Sequence, residues 1–162
     1  SLVGSEMCIE TEDYLEEQGV KHATINLGGN IQTIGTKPDG SDYNIGIQKP
    51  FDETGEPITS VKIKDKSIVT TGIYQRYFEQ DGTLYHHVLD PRTGMPCDTD
   101  LYSVSIITDS SLTADAMSTV CCLMGYQESM NVISQLDNVN AVFVTDDGNI
   151  KYSSNFQKKQ PK

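Results

Sequence analysis

The chain has 162 residues, and its 23 acidic and 12 basic side chains give a formal net charge of −11 at pH 7. This length predicts a single domain, residues 1–162, that can bury a core of its own. The acidic balance argues against a nucleic acid partner, because a phosphate backbone needs clustered basic residues, and the one basic cluster is a tail of Lys158, Lys159 and Lys162. No apolar run is long enough for a membrane span and no secretory signal opens the chain, so we expect it to be soluble.

The first half of the chain is predicted to be one helix followed by short strands. Glutamate-rich spacing predicts a helix over residues 6–18, with Gly19 ending it. Alternating and β-branched runs predict strands at 22–27, 31–34 and 43–48, and the stretch 51–59, which carries proline and glycine, is predicted to be a loop. Two hairpins are predicted next, one joining 61–64 to 67–70 and one joining 73–78 to 83–89.

The second half places two helices between strands. A β-forming run covers 101–108, and a helix begins after a cap at Ser110 or Ser111, runs to Met124 and stops at Gly125. A second helix over 127–136 and a hairpin joining 139–145 to 149–152 complete the chain. With about eight or more strands, about three helices and mostly short connections, the sequence predicts an α+β fold: a mostly antiparallel sheet packed against the helices.

The four cysteines are Cys8, Cys97, Cys121 and Cys122. They form no C-x-x-C pair, and the adjacent pair lies in an apolar helical context. We therefore expect small buried residues rather than a zinc site or a disulfide framework. A nucleophilic role for Cys97 stays open, although no base is assigned to it.

The segment 86–94, His-His-Val-Leu-Asp-Pro-Arg-Thr-Gly, is the most informative stretch. It places two imidazoles, a carboxylate, a guanidinium and a hydroxyl around a turn that Asp90 and Pro91 favour. So many reactive groups at one turn indicate a chemical site. Exposed histidines beside a turn are often only solvated, and spacing alone leaves both interpretations open.

The predicted helix after Ser111 carries Asp115 and Thr119 four residues apart, so both lie on one helical face. A carboxylate and a hydroxyl are hard oxygen donors that suit Mg²⁺ better than zinc. The alternative is that both side chains only stabilise the helix. An aspartate near a helix N-terminus interacts favourably with the helix dipole, and a threonine can donate a hydrogen bond to a backbone carbonyl of the preceding turn. The buried side is predicted to carry apolar and thiol side chains: Met117, Val120, Cys121 and Met124.

Two glycine-bearing strand junctions are weaker signals. Gly28, Gly29 and Asn30 between two predicted strands suit either a tight turn or close backbone approach to a phosphate. Thr71 and Gly72 form a second junction of the same kind, with an added hydroxyl.

Taken in this order, the segments resemble the ApbE family of FAD:protein FMN transferases. The resemblance rests on 25–30 (INLGGN), 43–50 (YNIGIQKP), 70–72 (TTG) with 74–78 (YQRYF), 87–94 (HVLDPRTG) and 114–119 (ADAMST). The ordered pair H-x-x-D-P-x-T-G and D-A-x-S-T is its specific part, and the match runs over nearly the whole chain.

The resemblance implies an enzyme that uses FAD and a divalent cation, usually Mg²⁺. Such enzymes move FMN onto a threonine or serine hydroxyl of an acceptor flavoprotein and release AMP. In this chain it implies that His87 is catalytic, with His86 in the preceding, less constrained place, and that Asp115 and Thr119 bind the metal. The implied nucleotide-binding residues are Gly28, Gly29, Asn30, Thr71, Gly72, Asp90 and Thr93.

The chain also departs from the family, whose members carry a further N-terminal portion that helps to hold FAD. No segment here matches it, so residues 1–162 are expected to be a C-terminal portion, either an excised piece or a degenerate relative, that binds FAD weakly or not at all alone. The resemblance further implies an extracytoplasmic lipoprotein. A Mg²⁺-dependent FAD pyrophosphatase and a non-catalytic flavin- or protein-binding module are the alternatives.

Overall fold

A computed structural model describes residues 3–157, so the basic tail of Lys158, Lys159 and Lys162 lies outside the described residues. That range contains four helices and ten strands. They are α1 (Val3–Glu17), β1 (Ala23–Leu27), β2 (Asn30–Ile34), β3 (Tyr43–Gln48), β4 (Pro57–Ile63), β5 (Ser67–Gly72), β6 (Tyr77–Gln80), β7 (Thr83–His86), β8 (Leu101–Thr108), α2 (Ser111–Met124), α3 (Tyr126–Ile133), β9 (Asn140–Thr145), β10 (Ile150–Tyr152) and α4 (Ser154–Gln157). None of these helices combines the length and apolar content needed to cross a membrane.

A six-stranded sheet in the order β1-β2-β5-β8-β9-β10 forms the centre of the fold. Every neighbouring pair in it is antiparallel, which confirms the predicted α+β class with a mostly antiparallel sheet. Two further two-stranded sheets, β3-β4 and β6-β7, stand apart from it. The hairpins predicted at 73–89 and 139–152 are confirmed, in shorter form, as β6-β7 and β9-β10.

The central strands are buried on both faces, because different layers cover the two sides. Successive residues point to opposite faces of a strand. In β8, Ile106 packs in a cluster with residues of α2 and α3, such as Cys121 and Ile133, while Ile107 packs against Val61 and the β3-β4 hairpin. Strands buried on both faces lose the polar alternation that marks a half-exposed strand. All six residues of β9 are buried for the same reason.

The hairpin predicted to join 61–64 to 67–70 is wrong. β4 pairs with β3 in a separate sheet, whereas β5 pairs with β2 and β8 in the central one. The connection between them is a corner between two layers, with Asp65 at φ 46°. Apolar alternation selects the buried face of a strand without selecting its neighbour, and β4 buries Val61 and Ile63 against the central sheet instead. The loop predicted over 51–59 is also shorter, since β4 begins at Pro57.

The helix α2 begins and ends where its caps predict. The Ser110 side chain accepts a hydrogen bond from the Thr113 N–H, and Gly125, at φ 77°, is the C-cap. Its buried face differs from the prediction, because Val120 is 43% exposed and the residues that face the core are Ser111, Ala114, Ser118, Cys121 and Cys122. Small side chains let a helix lie close to the sheet. All four cysteines are buried, which confirms the burial predicted for the adjacent pair Cys121 and Cys122.

Candidate active-site cleft

The β1-β2 hairpin turns through Gly28 and Gly29, which have φ of 67° and 93°. Leu27 pairs directly with Asn30, so the loop has two residues, and positive φ at both is the geometry of a type I′ turn. An added Cβ would meet no atom within 4 Å at either glycine. Backbone conformation rather than crowding therefore calls for glycine here, and the turn keeps an open surface.

This turn forms one wall of a cleft of about 510 Å³. The cleft is lined by Leu27, Gly28, Gly29, Asn30, Val69, Thr70, Thr71, Gln75, Arg76, His87, Val88, Leu89, Asp115 and Thr119. Its volume is in the range of small-molecule sites. The fold thus brings together seven of the residues singled out in the sequence, from β1-β2, β5, the segment after β7, and α2.

His87 directly follows β7 and is exposed. Its backbone N–H donates to the Arg76 carbonyl at 3.1 Å, and its Nδ1 lies 3.2 Å from the same oxygen. A carbonyl oxygen only accepts, so in the neutral form of the ring this contact assigns the proton to Nδ1 and the lone pair to Nε2. This tautomer is the one that a general base needs, because Nε2 can take a proton from a hydroxyl in the cleft.

His86 is the more buried of the two histidines, although the resemblance implied the less constrained place for it. It is 8% exposed, and its Nδ1 has no hydrogen-bond partner within the described residues. Burial lowers the pKa of His86, because desolvation penalises the charged ring. The two neighbouring imidazoles therefore differ in environment: one is a neutral core group, and the other faces the cleft.

This difference predicts a pH dependence of stability. With its pKa lowered in the folded state, His86 binds fewer protons there than in the unfolded chain, where a histidine titrates near about pH 6.5. Its stabilising contribution is complete above that pH and is lost as the pH falls toward the folded pKa. We expect His86→Gln to reduce the loss of unfolding free energy between about pH 7.5 and about pH 5, measured in urea. His22→Gln, at an exposed histidine, is the matched control; an unchanged pH slope in His86→Gln would contradict the prediction.

Asp115 and Thr119 lie one turn apart on α2 and line the same cleft. Asp115 is half-buried, and one of its carboxylate oxygens accepts a hydrogen bond from the Ser5 hydroxyl. The Thr119 hydroxyl lies 3.3 Å from that of Thr71, which shares a 2.8 Å hydrogen bond with Ser118. Within residues 3–157 no group of three or more His, Cys, Asp or Glu forms a metal site. The carboxylate of Asp115 and the hydroxyl of Thr119 are hard oxygen donors, the ligand type that Mg²⁺ prefers.

A buried network under the cleft holds Asp115. The side-chain Nδ2 of Asn30 donates to the Ser5 hydroxyl at 3.0 Å, and the Ser111 hydroxyl donates to the side-chain Oδ1 of Asn30 at 2.8 Å. Asn30, Ser5 and Ser111 are at most 6% exposed. Through Ser5 the network orients the Asp115 carboxylate and ties α1, β2 and α2 together. Asn30 therefore borders the cleft, while its side chain forms hydrogen bonds in the network beneath it. No pattern in the sequence predicted the role of Ser5.

Three of the implied nucleotide-binding residues, Gly72, Asp90 and Thr93, do not line this cleft. Asp90 and Thr93 build the turn after His87. The Asp90 carboxylate accepts from the Arg92 side chain at 2.7 Å and from its N–H at 2.9 Å, and these bonds lower the pKa of Asp90 to about 2. Thr93 accepts from the Met95 N–H at 3.2 Å.

Asp90 also lines a separate cleft, which it shares with Cys97 and the end of α2. Burial raises the pKa of the Cys97 thiol, which disfavours the thiolate that a nucleophilic role would need.

Gly72 is buried at the end of β5 beneath the Tyr74 ring. A Cβ there would lie 2.5 Å from Tyr74 Cε1, and that ring packs against Phe51 at 5.9 Å between centroids. We expect Gly72→Ala to lower the free energy of unfolding by about 1–3 kcal/mol through overpacking, measured in urea. In a Tyr74→Ala background the same change would cost less, since the clash is removed. Equal costs in both backgrounds would contradict this assignment.

The sequence profile of the ApbE family matches residues 8–143. The chain belongs to the ApbE family. Among its relatives is an FAD:protein FMN transferase of Klebsiella pneumoniae (strain 342), 42% identical over 142 residues, which cover 88% of this chain and 43% of the relative. The FAD:protein FMN transferase of Treponema pallidum (strain Nichols) is 36% identical over 148 residues, with 86% and 41% covered. The chain thus spans less than half the length of these two relatives.

Solved ApbE structures share the fold. The apo form of Pseudomonas stutzeri flavinyl transferase ApbE matches with a TM-score of 0.80 at 28% identity, covering 97% of this chain and 49% of that one. The ApbE protein of Thermotoga maritima matches with a TM-score of 0.75 at 31% identity, covering 87% and 45%. The family assignment made from the ordered motifs is confirmed.

Proposed function

We propose that the protein containing this chain is an FAD:protein FMN transferase and that the cleft is the C-terminal part of its active site. The observation that supports this most directly is the convergence of His87, with its lone pair on Nε2, and the oxygen pair Asp115 and Thr119 on one cleft. Base and cation ligands around one space suit the transfer of a phosphate group to a hydroxyl.

In the proposed reaction, Nε2 of His87 takes the proton of an acceptor serine or threonine hydroxyl. The acceptor oxygen then forms a bond to the phosphorus of the FMN half of FAD, while the bond from that phosphorus to the oxygen bridging the two phosphates breaks. The electrons of the broken bond leave with AMP. A hydroxyl is a poor nucleophile until its proton is removed. His87 would remove this proton more effectively than water does.

Mg²⁺ fits the donor set, with Asp115 and Thr119 as its ligands from this chain. When bound, it would neutralise negative charge on the pyrophosphate. The Asn30–Ser5 network would keep the Asp115 carboxylate in place before the metal arrives. Gly28 and Gly29 would contact the nucleotide from the β1-β2 turn and Thr71 from β5, since all three line the same cleft.

The test is to incubate the full-length gene product with FAD, Mg²⁺ and a candidate acceptor flavoprotein, and to search for covalently bound FMN by mass spectrometry. An FMN adduct together with released AMP supports the proposal. AMP and FMN without an adduct would instead support the FAD pyrophosphatase. Binding without turnover would support a non-catalytic module.

The proposal extends to the whole protein, of which residues 1–162 would be the C-terminal portion. Its relatives are more than twice as long as the matched segment, which supports a second contribution to the FAD site. We expect these residues alone to bind FAD weakly or not at all, and micromolar binding in calorimetry would overturn that. The family resemblance also supports an extracytoplasmic lipoprotein, which labelling with radioactive palmitate in the expressing cell would test.

A further inference from the structure

The sequence contains two arginines, Arg76 and Arg92, and the structure places them in different settings. Arg92 forms an ion pair with Asp90 at 2.7 Å, in the turn after His87. Arg76 is exposed, forms no ion pair within residues 3–157, and lines the cleft with His87 and Asp115. Among the described residues that line this cleft, it is the only Lys or Arg.

The β6-β7 hairpin holds Arg76 next to the proposed base. Arg76 immediately precedes β6 and His87 immediately follows β7, and Tyr77 pairs with His86 at the base of the hairpin. The Arg76 carbonyl accepts the His87 N–H at 3.1 Å and contacts its Nδ1 at 3.2 Å. The backbone of Arg76 is therefore fixed against His87, while its long side chain pairs with no carboxylate of residues 3–157.

A chain with a net charge of −11 is a poor environment for a pyrophosphate unless cations are placed in the site. On the α2 side, Asp115 adds negative charge and needs a metal to offset it. On the hairpin side, an arginine can bind phosphate oxygens directly and in bidentate fashion. In the proposed reaction the acceptor oxygen gives its proton to His87. Because Arg76 lies next to His87, it would also lie near that oxygen and near the phosphate that the oxygen attacks.

We propose that Arg76 is a further catalytic residue, whose guanidinium binds the transferred phosphate of FAD from the hairpin side of the cleft. The inference rests on the proposed function, and it assigns a role to a residue of the segment 74–78 for which the family resemblance implied none. Arg76 would hold the phosphate for in-line attack and stabilise the charge that grows on its oxygens as the bond to AMP breaks. His87 and Arg76 would then act as a unit at the base of one hairpin.

The test compares Arg76→Gln, Arg76→Lys and the control Arg92→Gln in the full-length gene product. We expect Arg76→Gln to lower kcat/KM for FAD in FMN transfer by about a hundredfold to a thousandfold. Arg76→Lys should fall between Arg76→Gln and the wild type, because lysine keeps the charge but loses the bidentate geometry. Arg92→Gln should stay close to the wild type. The free energy of unfolding in urea should differ by less than about 1 kcal/mol among the three variants, since both arginines are exposed and an exposed ion pair such as Arg92–Asp90 contributes little.

A second readout separates this inference from the proposed function. In calorimetry with Mg²⁺ present, FAD should bind Arg76→Gln about tenfold or more weakly than Arg92→Gln. If the wild type binds FAD without transferring FMN, the proposed function fails and this binding comparison still decides the role of Arg76. Equal affinity and equal transfer in Arg76→Gln and Arg92→Gln would overturn the inference. A wild type that binds no FAD would overturn both.

Discussion

Replacing His87 with alanine is expected to lower the proposed FMN transfer activity of the full-length gene product by about a hundredfold to ten-thousandfold, the usual contribution of a general base. The change removes the Nε2 lone pair that the contact with the Arg76 carbonyl leaves available. It should leave the fold intact, because His87 is exposed and a surface substitution usually changes stability by less than about 0.5 kcal/mol. The measurement is the rate of covalent FMN formation by mass spectrometry, with urea unfolding in parallel.

His22→Ala is the matched control, since His22 is also exposed and its ring also contacts a backbone carbonyl, that of Thr36 at 2.6 Å. It lies outside the cleft and should leave transfer unchanged. Added imidazole should restore part of the activity of His87→Ala, because a free base can enter the space that the ring leaves. Transfer by His87→Ala at the wild-type rate would remove His87 from the mechanism.

The second large effect is expected at Asp115. Asp115→Asn keeps the size of the side chain and an oxygen that can accept from Ser5, but removes the negative charge offered to the metal. We expect transfer to fall by about a hundredfold or more at low Mg²⁺, because the charge stabilisation supplied by a bound metal is worth several kcal/mol. Part of the loss should be recovered at high Mg²⁺. The measurement is the transfer rate as a function of Mg²⁺ concentration.

Asp109→Asn provides the control for net charge. Asp109 forms an ion pair with Lys66 just before α2 and lies outside the cleft, so its removal changes the total charge equally. Its Mg²⁺ dependence should match that of the wild type. If Asp115→Asn and Asp109→Asn showed the same Mg²⁺ dependence, the assignment of Asp115 as a metal ligand would fail.

Several parts of the candidate site could be predicted from the sequence because they depend on near neighbours. The caps Ser110 and Gly125 set the ends of α2, and a spacing of four residues puts Asp115 and Thr119 on one face of it. Two adjacent glycines between strands, here Gly28 and Gly29, predict a turn, since few other residues tolerate positive φ at both positions. Each of these features is decided within a few residues along the chain.

Other features depend on residues far apart in the sequence. The pattern of β4 and β5 fits a hairpin, but packing against the central sheet separates them into two layers. His86 is buried and His87 is exposed because one side of β7 faces the core, and no local sequence pattern predicts which side that is.

The sequence by itself determined the family, the fold class and the chemical types of the groups in the cleft, because ordered motifs and local periodicity carry that information. Only the tertiary structure decided which groups meet. It brought Ser5 to Asp115 across 110 positions, left Gly72, Asp90 and Thr93 outside the cleft, and set Arg76 against His87. The physical reason is that burial and long-range hydrogen bonding are properties of packed elements, and packing selects among partners that the local sequence permits equally.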